Sequence, residues 1–108
     1  MSKSGKHGRT PDDYLLAHEF CVAAIGKGEG RAKWLAAASE DRFLQSIKRP
    51  QRFGTQYGAD KPGGELRVMP VAPGVTDALR RALNVPSLKE AEANAAKFRE
   101  MFQKAKKL

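Results

Sequence analysis

At 108 residues, with 41% hydrophobic and 30% charged side chains, the chain has room for one modest core and is neither disordered nor membrane-like in composition. No apolar run approaches the roughly 18 residues of a spanning helix, and the start Met1-Ser2-Lys3-Ser4-Gly5-Lys6 lacks the apolar stretch of a signal peptide, so a cytoplasmic location is expected. The net charge of +8 favours anionic partners; the excess lies in residues 1–10, 31–53 and 75–108, whereas residues 11–30 are acidic on balance.

Residues 1–9 read as a flexible basic arm ahead of a single small helical domain over residues 10–108. Thr10 is placed to cap a helix, with Pro11 suited to its first position and Asp12 and Asp13 at the positive end of its dipole. From residue 14 to residue 25 this helix is apolar on most sides, which predicts that it is largely buried. Glycines at 26, 28 and 30 stop it. A second helix is predicted over residues 31–47, with Trp34, Leu35, Ala38, Phe43, Leu44 and Ile47 as apolar positions and Ala36-Ala37-Ala38 permitting close approach. So short a connection predicts an antiparallel αα-hairpin.

Pro50 ends the second helix. Residues 52–57 and 65–69 are rich in strand formers, and Gly58, Asp60, Pro62, Gly63 and Gly64 lie between them, which predicts a small β-hairpin or an ordered loop. After Pro70 and Pro73-Gly74, Val75, Ala78, Leu79, Ala82 and Leu83 recur at the spacing of a short amphipathic helix, with Asp77, Arg80 and Arg81 on its opposite, solvent-facing side. Asn84 and Pro86 stop that helix. Ser87 and Glu90 form a capping box for a long C-terminal helix to about Lys106. Its seam of Leu88, Ala91, Ala95, Phe98, Phe102 and Ala105 is expected to pack on the first hairpin in preference to a partner chain. The fold class is therefore mainly α.

His18 has apolar neighbours at helical spacing, so it reads as a core histidine bonded to one polar partner, or else as a general base paired with a carboxylate. Asp41 follows Trp34, Ala37 and Ala38 at spacings that point it partly inward, and an inward carboxylate needs a partner. Arg42 diverges from it by about 100° and reaches toward the loop that follows. Gln51, Thr55 and Gln56 offer amides and a hydroxyl around Gly54, where backbone can approach a ligand closely. One cysteine, Cys21, and two histidines make neither an internal disulfide nor a structural zinc set, and no phosphate loop or other cofactor motif occurs, so no metal and no cofactor is expected.

The runs Thr10-Pro11-Asp12-Asp13-Tyr14-Leu15-Leu16-Ala17-His18, Trp34-Leu35-Ala36-Ala37-Ala38, Asp41-Arg42-Phe43-Leu44 and Pro50-Gln51-Arg52-Phe53-Gly54-Thr55-Gln56 resemble a bacterial family of uncharacterised domains. Its hallmark is a helical Asp-Arg followed by Pro-Gln-x-aromatic-Gly-Thr-Gln. Members similar to this chain begin earlier, so the chain looks shortened at its front, where Lys6-His7-Gly8 stands in place of Gln-His-Gly. The resemblance implies that His7, His18, Asp41, Arg42, Gln51, Gly54, Thr55 and Gln56 gather around one site. It implies no activity.

The leading functional expectation is a noncatalytic binding or protein-interaction domain, holding a small polar ligand or a protein partner near Arg42 and the Gly-Thr-Gln segment. A basic nucleic-acid-binding protein is the first alternative, resting on Arg80, Arg81, Lys97, Arg99, Lys104, Lys106 and Lys107. A small hydrolase-like enzyme using His18 and Asp41 is the second. No membrane contact is expected, and the chain is expected to be a monomer or a homodimer through its C-terminal helix.

Overall fold

The computed structural model describes residues 10–107; the arm expected over residues 1–9, with His7, lies outside them. Four helices carry the architecture: α1 (Pro11–Gly26), α2 (Ala32–Ser46), the short α3 (Asp77–Ala82) and the long α4 (Leu88–Lys106). Two strands of two residues each, β1 (Tyr57–Gly58) and β2 (Arg67–Val68), pair antiparallel with Tyr57 opposite Val68 and Gly58 opposite Arg67. None of the described helices is long and apolar enough to cross a membrane.

The start of α1 is fixed as its sequence requires. Thr10 Oγ1 accepts from the Asp13 amide at 3.1 Å, and the Asp13 carboxylate accepts from the Thr10 amide at 3.3 Å. The chain then turns at Gly28, whose φ of +95° is a left-handed conformation that glycine adopts without Cβ strain. α1 and α2 form the predicted αα-hairpin, and the small residues Ala36, Ala37, Ala38 and Ser39 of α2 are buried.

Two small cores follow. Ala37, Phe53, Val75 and Val85, with Leu83 against them, tie α2 to the segments on either side of α3. Val68, Ala91 and Ala95, with Tyr57 and Val71, seat the first half of α4 on the β-ribbon. The α4 seam thus meets the ribbon and not the hairpin, contrary to expectation. Beyond the edge-to-face contact of Tyr57 with Phe98, at 5.7 Å between centroids, its remaining large residues Met101 and Phe102 are exposed.

Two further expectations are corrected. The helix predicted to be largely buried, α1, buries only Cys21 among its residues, while Leu16, Phe20 and Val22 are 52%, 68% and 52% exposed. It packs along one side on α2, and none of the described elements covers its other side. In α3 the expected amphipathic pattern holds only in part: Asp77 and Arg81 are exposed and Val75 and Leu83 turn inward, but Ala78, Leu79 and Ala82 face solvent, and Arg80, expected on the polar face, is 2% exposed. The expected small hairpin forms only from Tyr57–Gly58 and Arg67–Val68, and residues 52–56 take the ordered-loop alternative.

Candidate functional site

Asp41, on the third turn of α2, is completely buried, and its two carboxylate oxygens meet four donors from the loop that follows. Oδ1 accepts from the amides of Arg52 at 2.7 Å and Phe53 at 3.0 Å, and Oδ2 accepts from the amide of Thr55 at 3.1 Å and its hydroxyl at 2.7 Å. A run of convergent backbone amides of this kind is an anion-binding concavity. Here the anion is the chain's own carboxylate.

The opposite edge of the same segment is held by a cation. Arg80 donates from Nε to the Phe53 carbonyl at 3.0 Å and from an Nη to the Arg52 carbonyl at 3.0 Å; its other Nη reaches the Val75 carbonyl at 2.8 Å and Asp77 at 3.1 Å. Each of the two residues Arg52 and Phe53 therefore has its N–H on Asp41 and its C=O on Arg80. Gln51, also fully buried, does the same for Gln56: its Oε1 accepts the Gln56 amide at 2.9 Å, and its Nε2 donates to the carbonyls of Gln56 at 3.0 Å and Met69 at 2.9 Å. Three side chains thus supply most of the partners that neighbouring strands would give residues 52–56, and the Gln56 carbonyl also accepts from the Met69 amide at 3.1 Å.

Gly54 is the position at which this arrangement demands glycine. Its φ is +84°, and a Cβ there would stand 2.8 Å from Leu88 Cδ2. Arg42 closes the outer side, donating from Nε to Gln56 Oε1 at 3.3 Å, while Gln56 Nε2 donates to Thr55 Oγ1 at 2.9 Å. The structure therefore brings Asp41, Arg42, Gln51, Gly54, Thr55 and Gln56 together around one loop. Arg42, Thr55 and Gln56 keep partial solvent access, whereas Asp41, Gln51 and Gly54 are buried.

His18 belongs to a different cluster. Its Nδ1 lies 2.7 Å from the Ala36 carbonyl, which can only accept, so Nδ1 carries the proton and Nε2 is left as the other ring nitrogen. Nε2 stands 4.0 Å from Glu40 Oε1, and Arg52 donates to Glu40 Oε2 at 2.8 Å. The carboxylate facing His18 is therefore Glu40, and Asp41 faces the loop. Shallow grooves of about 200 and 280 Å³ flank this cluster, one lined by Val22, Ile25 and Leu83 and the other by Leu15, Phe43 and Leu44. Sequence reasoning missed Glu40 and Arg52; the signal available was Glu40 standing one residue before Asp41, on the side of α2 that turns toward α1.

Among the basic residues, burial of Arg80 beneath four acceptors removes it from any nucleic-acid surface, contrary to expectation. Arg99 is partly engaged, donating to the Leu66 carbonyl at 2.6 Å. Arg81, Lys97, Lys104, Lys106 and Lys107 are exposed. Among the described residues no three His, Cys, Asp or Glu side chains converge as a metal site would require. Comparison with family models, with curated proteins and with solved structures gives no match.

Proposed function

We propose that the chain is a noncatalytic protein-interaction domain whose contact surface is apolar. One observation carries this reading: α1 displays Leu16 and Phe20, one turn apart, at half exposure or more. Contiguous apolar surface on a small domain costs solubility and marks sites of association. The polarity of the loop does not compete with it, because Asp41, Gln51 and Arg80 are committed to backbone partners. The form of the reading in which a small polar ligand is held rests on Arg42 and Gln56, the half-exposed members of the loop cluster.

A photo-crosslinking residue at position 20 separates the two forms. The apolar reading predicts discrete protein adducts that Leu16→Asp removes and that Arg42→Ala with Gln56→Ala leaves in place. Adducts that survive Leu16→Asp and vanish with the Arg42 and Gln56 changes would return the function to the polar loop.

A second reading, nucleic-acid binding, is favoured by the exposed Arg81, Lys97, Lys104, Lys106 and Lys107. In amide NMR spectra with short mixed-sequence DNA and RNA, it predicts shifts at these residues that shrink as salt rises. Spectra unchanged at low salt contradict it.

A further inference from the structure

We infer that the outward side of α1 pairs with the same side of α1 in a second copy of this chain, antiparallel, about a twofold axis near Phe20. The inference rests on the interaction reading above and names its partner. The side of α1 turned away from α2 carries Asp12, Leu16, Phe20, Ala23 and Lys27, all exposed, at intervals of four, four, three and four residues. That spacing keeps them along one stripe of a helix.

The stripe is complementary to itself only when reversed. An axis between positions 19 and 20 sets Asp12 of each copy opposite Lys27 of the other, and the large Leu16 opposite the small Ala23, twice over. The same axis sets Phe20 of each copy opposite Glu19 of the other, with the two Phe20 side chains adjacent across the centre. A parallel pair would instead oppose Asp12 to Asp12 and Lys27 to Lys27. A twofold interface requires the first pattern, in which residue i meets j and j meets i.

Other occupants within the chain fit less well. Residues 1–9 contain one apolar side chain, Met1, and their Lys3, Lys6 and Arg9 match neither Lys27 nor the apolar stripe. A 16-residue helix is about 24 Å long, so a pair built on it alone is small by interface standards and associates weakly, with Kd on the order of 10–100 µM.

Sedimentation equilibrium of the full chain from about 5 to about 500 µM at low salt tests this, with circular dichroism to confirm that each variant keeps its helices. The wild type is expected to show a monomer–dimer equilibrium, abolished by Leu16→Asp. Asp12→Lys and Lys27→Asp singly should each weaken dimerisation at least about threefold, and the double variant should recover to within about twofold of wild type. Loss of the favourable dipole contact of Asp12 cannot produce that recovery. A dimer insensitive to Leu16→Asp, or a double variant no better than the singles, overturns the pairing. A wild type monomeric throughout also overturns it, while adducts from position 20 to another protein would leave the interaction reading standing.

Discussion

Asp41 and Arg80 carry opposite charges, and both are fully or almost fully buried, yet their partners are the N–H and C=O groups of the same two residues, Arg52 and Phe53, and not each other. Removing either leaves buried N–H or C=O groups without partners, which costs more than an ordinary hydrogen bond contributes. Asp41→Ala and Arg80→Met are each expected to lower unfolding free energy in urea by about 3 kcal/mol. The double variant should lose less than the sum, because both act on the backbone groups of Arg52 and Phe53. Gly54→Ala is expected to cost about 1–3 kcal/mol through its positive φ, and Leu88→Ala in the same chain should recover only the part due to the contact at 2.8 Å. The inward direction of Asp41 was legible from its spacing after Trp34, Ala37 and Ala38. The burial of Arg80 was not, since a lysine-like long side chain beside Asp77 and Arg81 on a short helix reads as a solvated face, and the Arg52 and Phe53 carbonyls it reaches are far away in sequence.

At the scale of elements, caps and breakers were readable because they act within a few residues. Thr10, Ser87 and Glu90 stand where the sequence places them. Glu90 is held below the usual carboxylate value of 4.5, first by its hydrogen bond with the Ser87 backbone and then by the Ser87 side chain. With the folded value below the unfolded one, the contribution of this cap is present above the unfolded pKa and is lost as pH falls through the folded pKa. Amides in the first turn of α4 should therefore lose protection on acidification below about pH 4.5, and Glu90→Gln should remove that dependence. A profile unchanged by Glu90→Gln would assign the effect elsewhere. The strands were harder to read: residues 52–56 have strand-forming side chains, but Asp41, Gln51 and Arg80 supply the ladder, and no local pattern announces a side chain acting as a strand. The α1 pattern was read as apolar on most sides, and the inference to burial failed because burial depends on what the rest of the chain brings to that side.

For the molecule as a whole, the radius of gyration is 15.4 Å, against about 13 Å for a compact domain of 100 residues. The excess follows from two separate small cores and from helices that project past them. The outer half of α4 illustrates this: after Ala95, Lys97, Phe98, Met101, Phe102 and Lys104 are all exposed. Exchange of its amides from residue 100 onward is expected to be much faster than that of residues 91–96, which sit on the ribbon. The mainly helical class and the αα-hairpin followed from periodicity, whereas the distribution of function over the surface did not. The loop with the most distinctive sequence is the part of the molecule with its polar groups most fully committed inside.

Native-state hydrogen exchange of the amides of Arg52, Phe53, Thr55 and Gln56 tests that commitment most directly. These four residues lie outside helix and ladder, so an unsupported loop would exchange them close to the rate of a free peptide. Because their amides are held by Asp41 and Gln51, they are predicted to exchange as slowly as the buried centre of α2, and Asp41→Asn should release Arg52, Phe53 and Thr55 first. Rapid exchange of these amides in the wild type would contradict the account and restore the loop as an open site for a ligand.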